Sequence, residues 1–221
     1  MSSTSRTASR SFTARYAGET VLAIGAHPDD LELGIGGTLA RLSCAGARVV
    51  MAVVSVPADY ETRKSEAARA AEILGCELRF LMDGDCKRID DIKNYQLVGM
   101  IDAAVRELAP AVMLTHSESE FHRDHVTVHN ACLSSQRLGN FDFLCYHPTM
   151  CRPVPVAFHP RAYVDISQTI DAKMAAIEAH ASQFRHRGLS IEMYRDIARL
   201  NGRMVGVQYA EGLDVGRMLL D

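Results

Sequence analysis

Residues 21–42 constrain the fold more than any other stretch of the chain. Val21-Leu22-Ala23-Ile24 is a short apolar run, β-branched at both ends, and it stops abruptly at Gly25-Ala26-His27-Pro28. Proline biases the residue before it away from the helical region, so the run reads as a buried strand that ends there. From about Asp30 onward Leu31, Ile35, Leu39 and Leu42 recur at helical spacing, which predicts a helix starting almost at once. A second apolar run, residues 48–55, lacks the alternation of a half-solvated strand and needs cover on both faces. Residues 111–115 form a third such run. Strands of this kind separated by helical patterns predict a mostly parallel α/β sheet.

The remaining elements follow in order. Residues 57–60 make a loop, residues 61–74 an Ala-rich helix ended by Gly75, and residues 77–81 a third strand leading into the polar Asp83-Gly84-Asp85 turn. Ile92, Leu97, Ile101, Ala104, Val105 and Leu108 lie on one stripe, predicting a single long helix over residues 89–108 before Pro110. After the fourth strand at 111–115, residues 126–138 read as a helix. Residues 141–164 are interrupted by Pro148, Pro153, Pro155 and Pro160, so irregular strands and loops are expected there, placed as a lid beside a site. Helices are predicted over 171–183 and over 191–201 up to Gly202, and a last short strand over 205–209. No internal repeat appears. The expected organisation is a flexible tail, residues 1–18, and one domain, residues 19–221.

The tail assignment rests on composition. Residues 1–16 are rich in Ser, Thr and Arg, including Arg6, Arg10 and Arg15, and hold no acid before Glu19; this superficially resembles a transit peptide, but the segment lacks an aliphatic face and reads as disordered. At 221 residues, 48% hydrophobic and with a formal net charge of −3, the chain is long enough for a substantial core and carries no basic footprint, which argues against nucleic acid as a partner. No run approaches the roughly 18 to 20 apolar residues of a membrane span. The six cysteines, Cys44, Cys76, Cys86, Cys132, Cys145 and Cys151, form no regular framework, so a reducing, cytoplasmic setting is expected, with most acting as small apolar residues.

Chemistry concentrates in two clusters. The first, His27-Pro28-Asp29-Asp30-Leu31-Glu32, sits at the strand-to-helix turn, which in a parallel sheet is the carboxyl edge where ligands collect. His27 and Asp30 are close enough to reach a common ion and form half of a zinc site. A plainer account has Asp29 and Asp30 capping the helix and His27 filling the turn. The second cluster, His116 to His125, follows the fourth strand in the same way and contains His122, Asp124 and His125. One of these histidines can complete a three-ligand site with an open position for water, and the other then stands free beside the ion. Asp124, accepting from one ring nitrogen, would fix that histidine's tautomer and favour its cationic form. Asp29 is placed to act as a base. Together the parts describe metal-assisted hydrolysis. His129 reads as helix surface or a packed neighbour, His116 as the end of the strand and a residue placed to stand behind the ligands, and Glu32 as a support of the turn or the helix start. For His180 and His186 nothing in the spacing demands a role. Gly34, Gly36 and Gly37 permit close packing but do not make a G-x-G-x-x-G phosphate loop.

Ala26-His27-Pro28-Asp29-Asp30-Leu31-Glu32, followed about ninety residues later by His122-Arg123-Asp124-His125, closely resembles the PIG-L/LmbE-like zinc-dependent de-N-acetylases. Arg63-Lys64-Ser65-Glu66 looks like that family's R-x-x-E, and Val205 to Gly212 is similar to its closing segment. The resemblance implies a Rossmann-like three-layer α/β sandwich and removal of acetyl groups from N-acetylglucosamine-type sugars and conjugates. It implies one Zn2+ per chain, or another divalent ion, on His27, Asp30 and His125. It further implies Asp29 as general base, His122 as the transition-state histidine oriented by Asp124, and Arg63 and Asp85 as contacts to the sugar. The expected partner is therefore a small-molecule N-acetyl sugar or glycoconjugate, with assembly into a homo-oligomer left open. The alternatives are an amidohydrolase for a different amide, a metal-binding regulator with no use for Asp29, and a nucleotide-dependent dehydrogenase. The last would need a glycine fingerprint where His27-Pro28-Asp29-Asp30 stands.

Overall fold

The computed structural model describes residues 12–82, 84, 87–148, 157–187 and 190–220, with the side chains of 185–187 not described. Helix α1 (Phe12–Arg15) precedes β1 (Thr20–Gly25), α2 (Asp30–Cys44), β2 (Arg48–Val53), α3 (Tyr60–Leu74), β3 (Glu77–Phe80), α4 (Asn94–Leu108), β4 (Val112–His116), α5 (Arg123–Ser135) and β5 (Asp142–Tyr146). Then come β6 (Ala162–Asp165), α6 (Ile170–Ala179), α7 (Ala181–Arg187), α8 (Glu192–Val205) and β7 (Ala210–Arg217). The strands form one sheet in the order β3-β2-β1-β4-β5-β7-β6. β1 to β5 are all parallel, and the antiparallel pairings of β7 extend the sheet at the β5 edge.

Alternation along the buried strands sorts the core into two layers. Val21, Ala23, Val49, Met51, Val112, Leu114 and Leu144 face one way, onto α2, α3, α6 and α8. Leu22, Ile24, Val50, Ala52, Met113 and Phe143 face the other, onto α4 and α5. The result is the expected Rossmann-like three-layer sandwich. Because β1 leads out to β2 on one side and the chain returns to β4 on the other, the strand order reverses between β1 and β4. Their carboxyl ends flank the crevice that such a reversal opens.

Several sequence-based boundaries are corrected. The segment expected as one helix over 89–108 is a short 3-10 turn, Ile89–Asp91, followed by α4 from Asn94. The helix expected over 171–183 is broken at His180 into α6 and α7. The closing strand is not at 205–209. α8 runs through Gly202 to Val205, and Gly206 at φ +80 ends it in the left-handed conformation that glycine adopts without penalty. Gly202 does not stop the helix; a Cβ there would lie 2.7 Å from the Val207 and Gln208 carbonyl oxygens, so it is required by the turn that packs back on it. Part of the segment expected as a tail is built into the fold, while residues 1–11 lie outside the described residues. Phe12–Arg15 is helical, and Tyr16 is buried with its hydroxyl donating to Asp142 at 2.7 Å. Of the segment expected as a lid, β5 and β6 are regular strands, while residues 149–156 lie outside the described residues. Cys132 and Cys145 are buried as expected, Cys76 is half-buried and Cys44 exposed; Cys86 and Cys151 lie outside the described residues. No helix among the described residues is long and apolar enough to cross a membrane.

Candidate active site

The two charged clusters meet in the crevice between β1 and β4. The first turn is held in a costly conformation, with Asp29 at φ +97 and ψ −30, a region that a residue with a Cβ occupies only when its surroundings enforce it. Arg63 from α3 supplies part of that enforcement. Its guanidinium is buried, Nη2 donates to the Pro28 carbonyl at 2.8 Å, and the same nitrogen lies 3.8 Å from Asp29 Oδ1. Arg63, expected to contact sugar, is thus tied to the turn. Asp85 lies outside the described residues.

Asp30 is the hub. Its Oδ2 accepts from the His27 backbone N–H at 2.8 Å and lies 3.6 Å from His27 Nδ1, while Oδ1 lies 3.3 Å from His125 Nε2. Two donors each about 2.1 Å from a tetrahedral ion stand about 3.4 Å apart; each pairwise separation is of that size, but the two run to different oxygens of Asp30. Two groups of three donors lie within 4.8 Å of one another: His27 with His122 and His125, and Asp30 with His116 and His125. The expected trio His27, Asp30 and His125 is therefore divided between them, with His125 common to both. Within the second group, Ala26 N–H donates to His116 Nε2 at 2.9 Å and occupies the lone pair that an ion would need. The same His116 Nε2 lies 3.3 Å from Asp30 Oδ2, so it is enclosed between that carboxylate and the Ala26 N–H and is not open to an ion.

Electrostatics fit a site made for positive charge. Burial opposes charge on His125, but Asp30 and Glu120 outweigh it and push its pKa up to about 10. Burial would likewise raise Asp30, yet His125 and His116 hold it well below the usual carboxylate range. Asp29 behaves oppositely: burial, then the neighbouring Asp30, push it up to about 6 despite Arg63. Burial and then His125 bring His116 down to about 4.

One expected contact is different. The Asp124 carboxylate does not reach His122; Asp124 Oδ2 lies 2.9 Å from His27 Nε2. His122 is the N-cap of α5, and its Nδ1 accepts from the Asp124 backbone N–H at 3.2 Å. With Asp124 in the first helical turn, its N–H points to the cap and its side chain swings across the crevice to the first cluster. His122 and His125 stack with ring centroids 4.6 Å apart.

As expected, His116 ends the strand and stands behind the candidate ligands. Two further residues, Glu120 and His147, join the cluster without having been singled out from the sequence. Glu120 contacts His125 Nδ1 at 3.5 Å and His147 Nε2 at 3.6 Å. His147 follows β5 directly, so the rule that singled out His27 and the 116–125 cluster, charge just past a buried strand, also points to it. His129 is a packed neighbour, its Nδ1 2.8 Å from the His116 carbonyl oxygen. His180 is buried against Glu32 at 3.1 Å. The side chain of His186 is not among those described.

Comparison with known proteins assigns the family and the fold. A family model described as PIG-L, GlcNAc-PI de-N-acetylase, matches residues 22–135, which span both clusters. A diacetylchitobiose deacetylase of Thermococcus kodakarensis is 29% identical over 223 residues, covering 87% of this chain and 81% of that protein. Among solved structures, the conserved protein TT1542 of Thermus thermophilus has a TM-score of 0.77 at 27% identity, covering 92% of this chain and 97% of that one. GalB, the 4-carboxy-2-hydroxymuconate hydratase of Pseudomonas putida, shares the fold at a TM-score of 0.75 and 21% identity, covering 92% of this chain and 98% of that one.

Proposed function

Because the chain belongs to the PIG-L family of GlcNAc-PI de-N-acetylases, we propose that it is a zinc-dependent hydrolase removing the acetyl group from an N-acetylated amino sugar or sugar conjugate of N-acetylglucosamine type. The observation that carries this reading is the convergence of His27, Asp29 and Asp30 with His122 and His125 in one crevice between β1 and β4. The name of the Thermococcus relative supports an N-acetyl sugar as the substrate class.

In this reading His27, Asp30 and His125 hold the ion, a mixed nitrogen and oxygen set that takes zinc and accommodates other divalent ions. When bound, such an ion contributes Lewis-acid polarisation of the acetyl carbonyl and a more acidic water. The chain's own groups do the rest. Asp29, buried next to Asp30 in the strained turn with its carboxylate 3.8 Å from Arg63, takes a proton from the attacking water as its oxygen adds to the acetyl carbon. His122, whose Nδ1 is committed to the Asp124 N–H, keeps its proton on Nε2 and donates it as a hydrogen bond to the developing oxyanion. The C–N bond then breaks, the proton held by Asp29 passes to the nitrogen, and acetate and a free amine leave. Arg63 keeps the Pro28-Asp29 turn in place and balances the Asp29 charge.

The test is acetate release by the zinc-loaded protein over a panel of N-acetyl sugars, their glycosides and sugar nucleotides. Release with an equimolar free amine from at least one N-acetylglucosamine-type compound is expected. Release only from acetamides lacking a sugar would move the assignment to another amide, and no release from any of them would refute it.

A further inference from the structure

Behind His125, on the side away from Asp30, a carboxylate and a third histidine join the site. Glu120 precedes the H-R-D-H motif by two residues, and its side chain is fully buried. One of its oxygens lies 3.5 Å from His125 Nδ1 and the other 3.6 Å from His147 Nε2. Among the described residues neither of those nitrogens has a hydrogen-bond partner, and both are buried. The separations are ion-pair distances, slightly longer than hydrogen bonds. His147 is itself anchored. It extends directly from β5, whose Tyr146 donates its hydroxyl to Ile24 O at 3.0 Å and whose backbone carbonyl accepts from Ser117 N–H at 2.7 Å. Its ring stacks on Phe158 with centroids 5.3 Å apart.

We propose that Glu120 and His147 are a positioning pair: Glu120 holds the Nδ1 side of the His125 imidazole so that Nε2 faces Asp30, and His147 holds the Glu120 carboxylate from β5. The inference rests on the reading of His125 as a metal ligand. An imidazole can bind through either nitrogen, and the group on the far nitrogen decides which one is left with a lone pair. A carboxylate at Nδ1 keeps the proton there and leaves Nε2 to the ion. Glu120 meets a histidine at each oxygen, His125 at one and His147 at the other, and such partners steady a buried carboxylate. The device ties the carboxyl ends of β4 and β5 to the donor set, so a third strand takes part in placing the metal.

The experiment measures zinc affinity of the apoprotein by competition with a chromophoric chelator, alongside the visible absorption spectrum of the cobalt-substituted protein. Wild type is compared with Glu120→Gln, Glu120→Ala, His147→Ala, the Glu120→Ala/His147→Ala double variant and His125→Ala, with the folding of each apoprotein checked by circular dichroism. Loss of a group that orients a ligand typically costs about 10- to 100-fold in metal affinity, so Glu120→Ala should lose that much and alter the cobalt bands. Glu120→Gln, which keeps an oxygen acceptor, should recover part of the loss, and His147→Ala should lose less. The double variant should be no weaker than Glu120→Ala alone, since His147 acts only through Glu120. If Glu120→Gln and Glu120→Ala both retain wild-type affinity and cobalt spectrum while His125→Ala loses the metal, the pair is overturned and the ligand assignment stands. Independent, additive losses in the double variant also overturn it. If wild type takes up no zinc, or His125→Ala binds as well as wild type, the underlying reading fails and the pair with it.

Discussion

The buried pair of Lys173 and Glu211 should govern the stability of the helix that carries Asp30. Both side chains are only 3% exposed, and Lys173 Nζ donates to Glu211 Oε1 at 2.5 Å and to the Leu33 carbonyl at 2.8 Å. The two Glu211 oxygens accept from Gly37 N–H at 3.0 Å and Thr38 N–H at 2.6 Å. These contacts bracket Ile35, where α2 leaves helical geometry at φ −139 and ψ 19. The break frees a carbonyl on one side and amides on the other, and the ion pair takes up both. Breaking a buried pair by removing one partner costs about 3–5 kcal/mol because a charge is stranded. Glu211→Gln should therefore cost about that much, and at about 2–4 °C per kcal/mol for a chain of this length it should lower Tm by roughly 6–20 °C. Lys173→Met in the Glu211→Gln background removes the stranded charge and should restore a large share, giving a coupling of about 1–3 kcal/mol in the double-mutant cycle. Thermal and urea melts of the four apoproteins read this directly. A Glu211→Gln protein melting within about 2 °C of wild type, or a cycle that adds without coupling, would show that the pair does not hold the break.

The site predictions are as specific. Asp29→Asn should retain bound zinc and lose about 10²- to 10⁴-fold in kcat; near-normal turnover would remove Asp29 as the base. His122→Ala should keep zinc and lose on the order of 10²- to 10³-fold in kcat. Asp124→Asn should behave differently, weakening zinc affinity by about 10- to 100-fold, because its carboxylate serves His27 and only its backbone N–H serves His122; an Asp124→Asn protein with full affinity and a pure kcat defect would contradict that division. Gly34→Ala should lower stability by about 1–3 kcal/mol, since a Cβ there would lie 2.3 Å from Tyr146 Cδ2, and an unchanged denaturation midpoint would show that the α2 to β5 contact yields easily.

The layer architecture was legible because burial on both faces leaves a mark on each strand separately. Residues 21–24, 48–55 and 111–115 are apolar without alternation, and each proved to lie in the middle of the sheet. The closing strand was not legible for the opposite reason. Ala210–Arg217 contains Glu211, Gly212, Asp214 and Gly216, a composition that reads as loop, and its pairing with β5 and β6 is decided by tertiary contacts that a local pattern does not carry. Gly202 misled through its identity: glycine stops helices by conformation at Gly206, whereas at 202 it is needed only for its lack of a Cβ. The positions of His27, Asp30, His122 and His125 followed from strand ends, but their pairing did not, because which carboxylate meets which imidazole depends on side-chain directions across two loops. Fold alone would not have named the chemistry either, since GalB, a hydratase by name, has the same architecture.

The clearest consequence of those pairings concerns the charge of His122. A carboxylate on its Nδ1 would favour imidazolium, which is the form the sequence suggested. The structure puts a backbone N–H there instead, and a nitrogen that accepts a hydrogen bond carries no proton. The ring also caps α5, where the positive end of the helix dipole opposes a cation. Burial, then His125 and His27, lower its pKa further. A divalent ion on the adjacent donors would act in the same direction as these like charges. On balance these influences outweigh the raising effect of Asp124 and Asp30 and favour a neutral His122 with its proton on Nε2, so in the proposed mechanism its contribution to an oxyanion would be that of a fixed dipole and not of a second positive charge. Fixed dipoles need no reorganisation as charge develops, and the N-cap bond that sets the tautomer also sets the direction of the donor. The Asp124 backbone thus orients His122 while the Asp124 side chain orients His27, and one residue serves both halves of the site through different atoms.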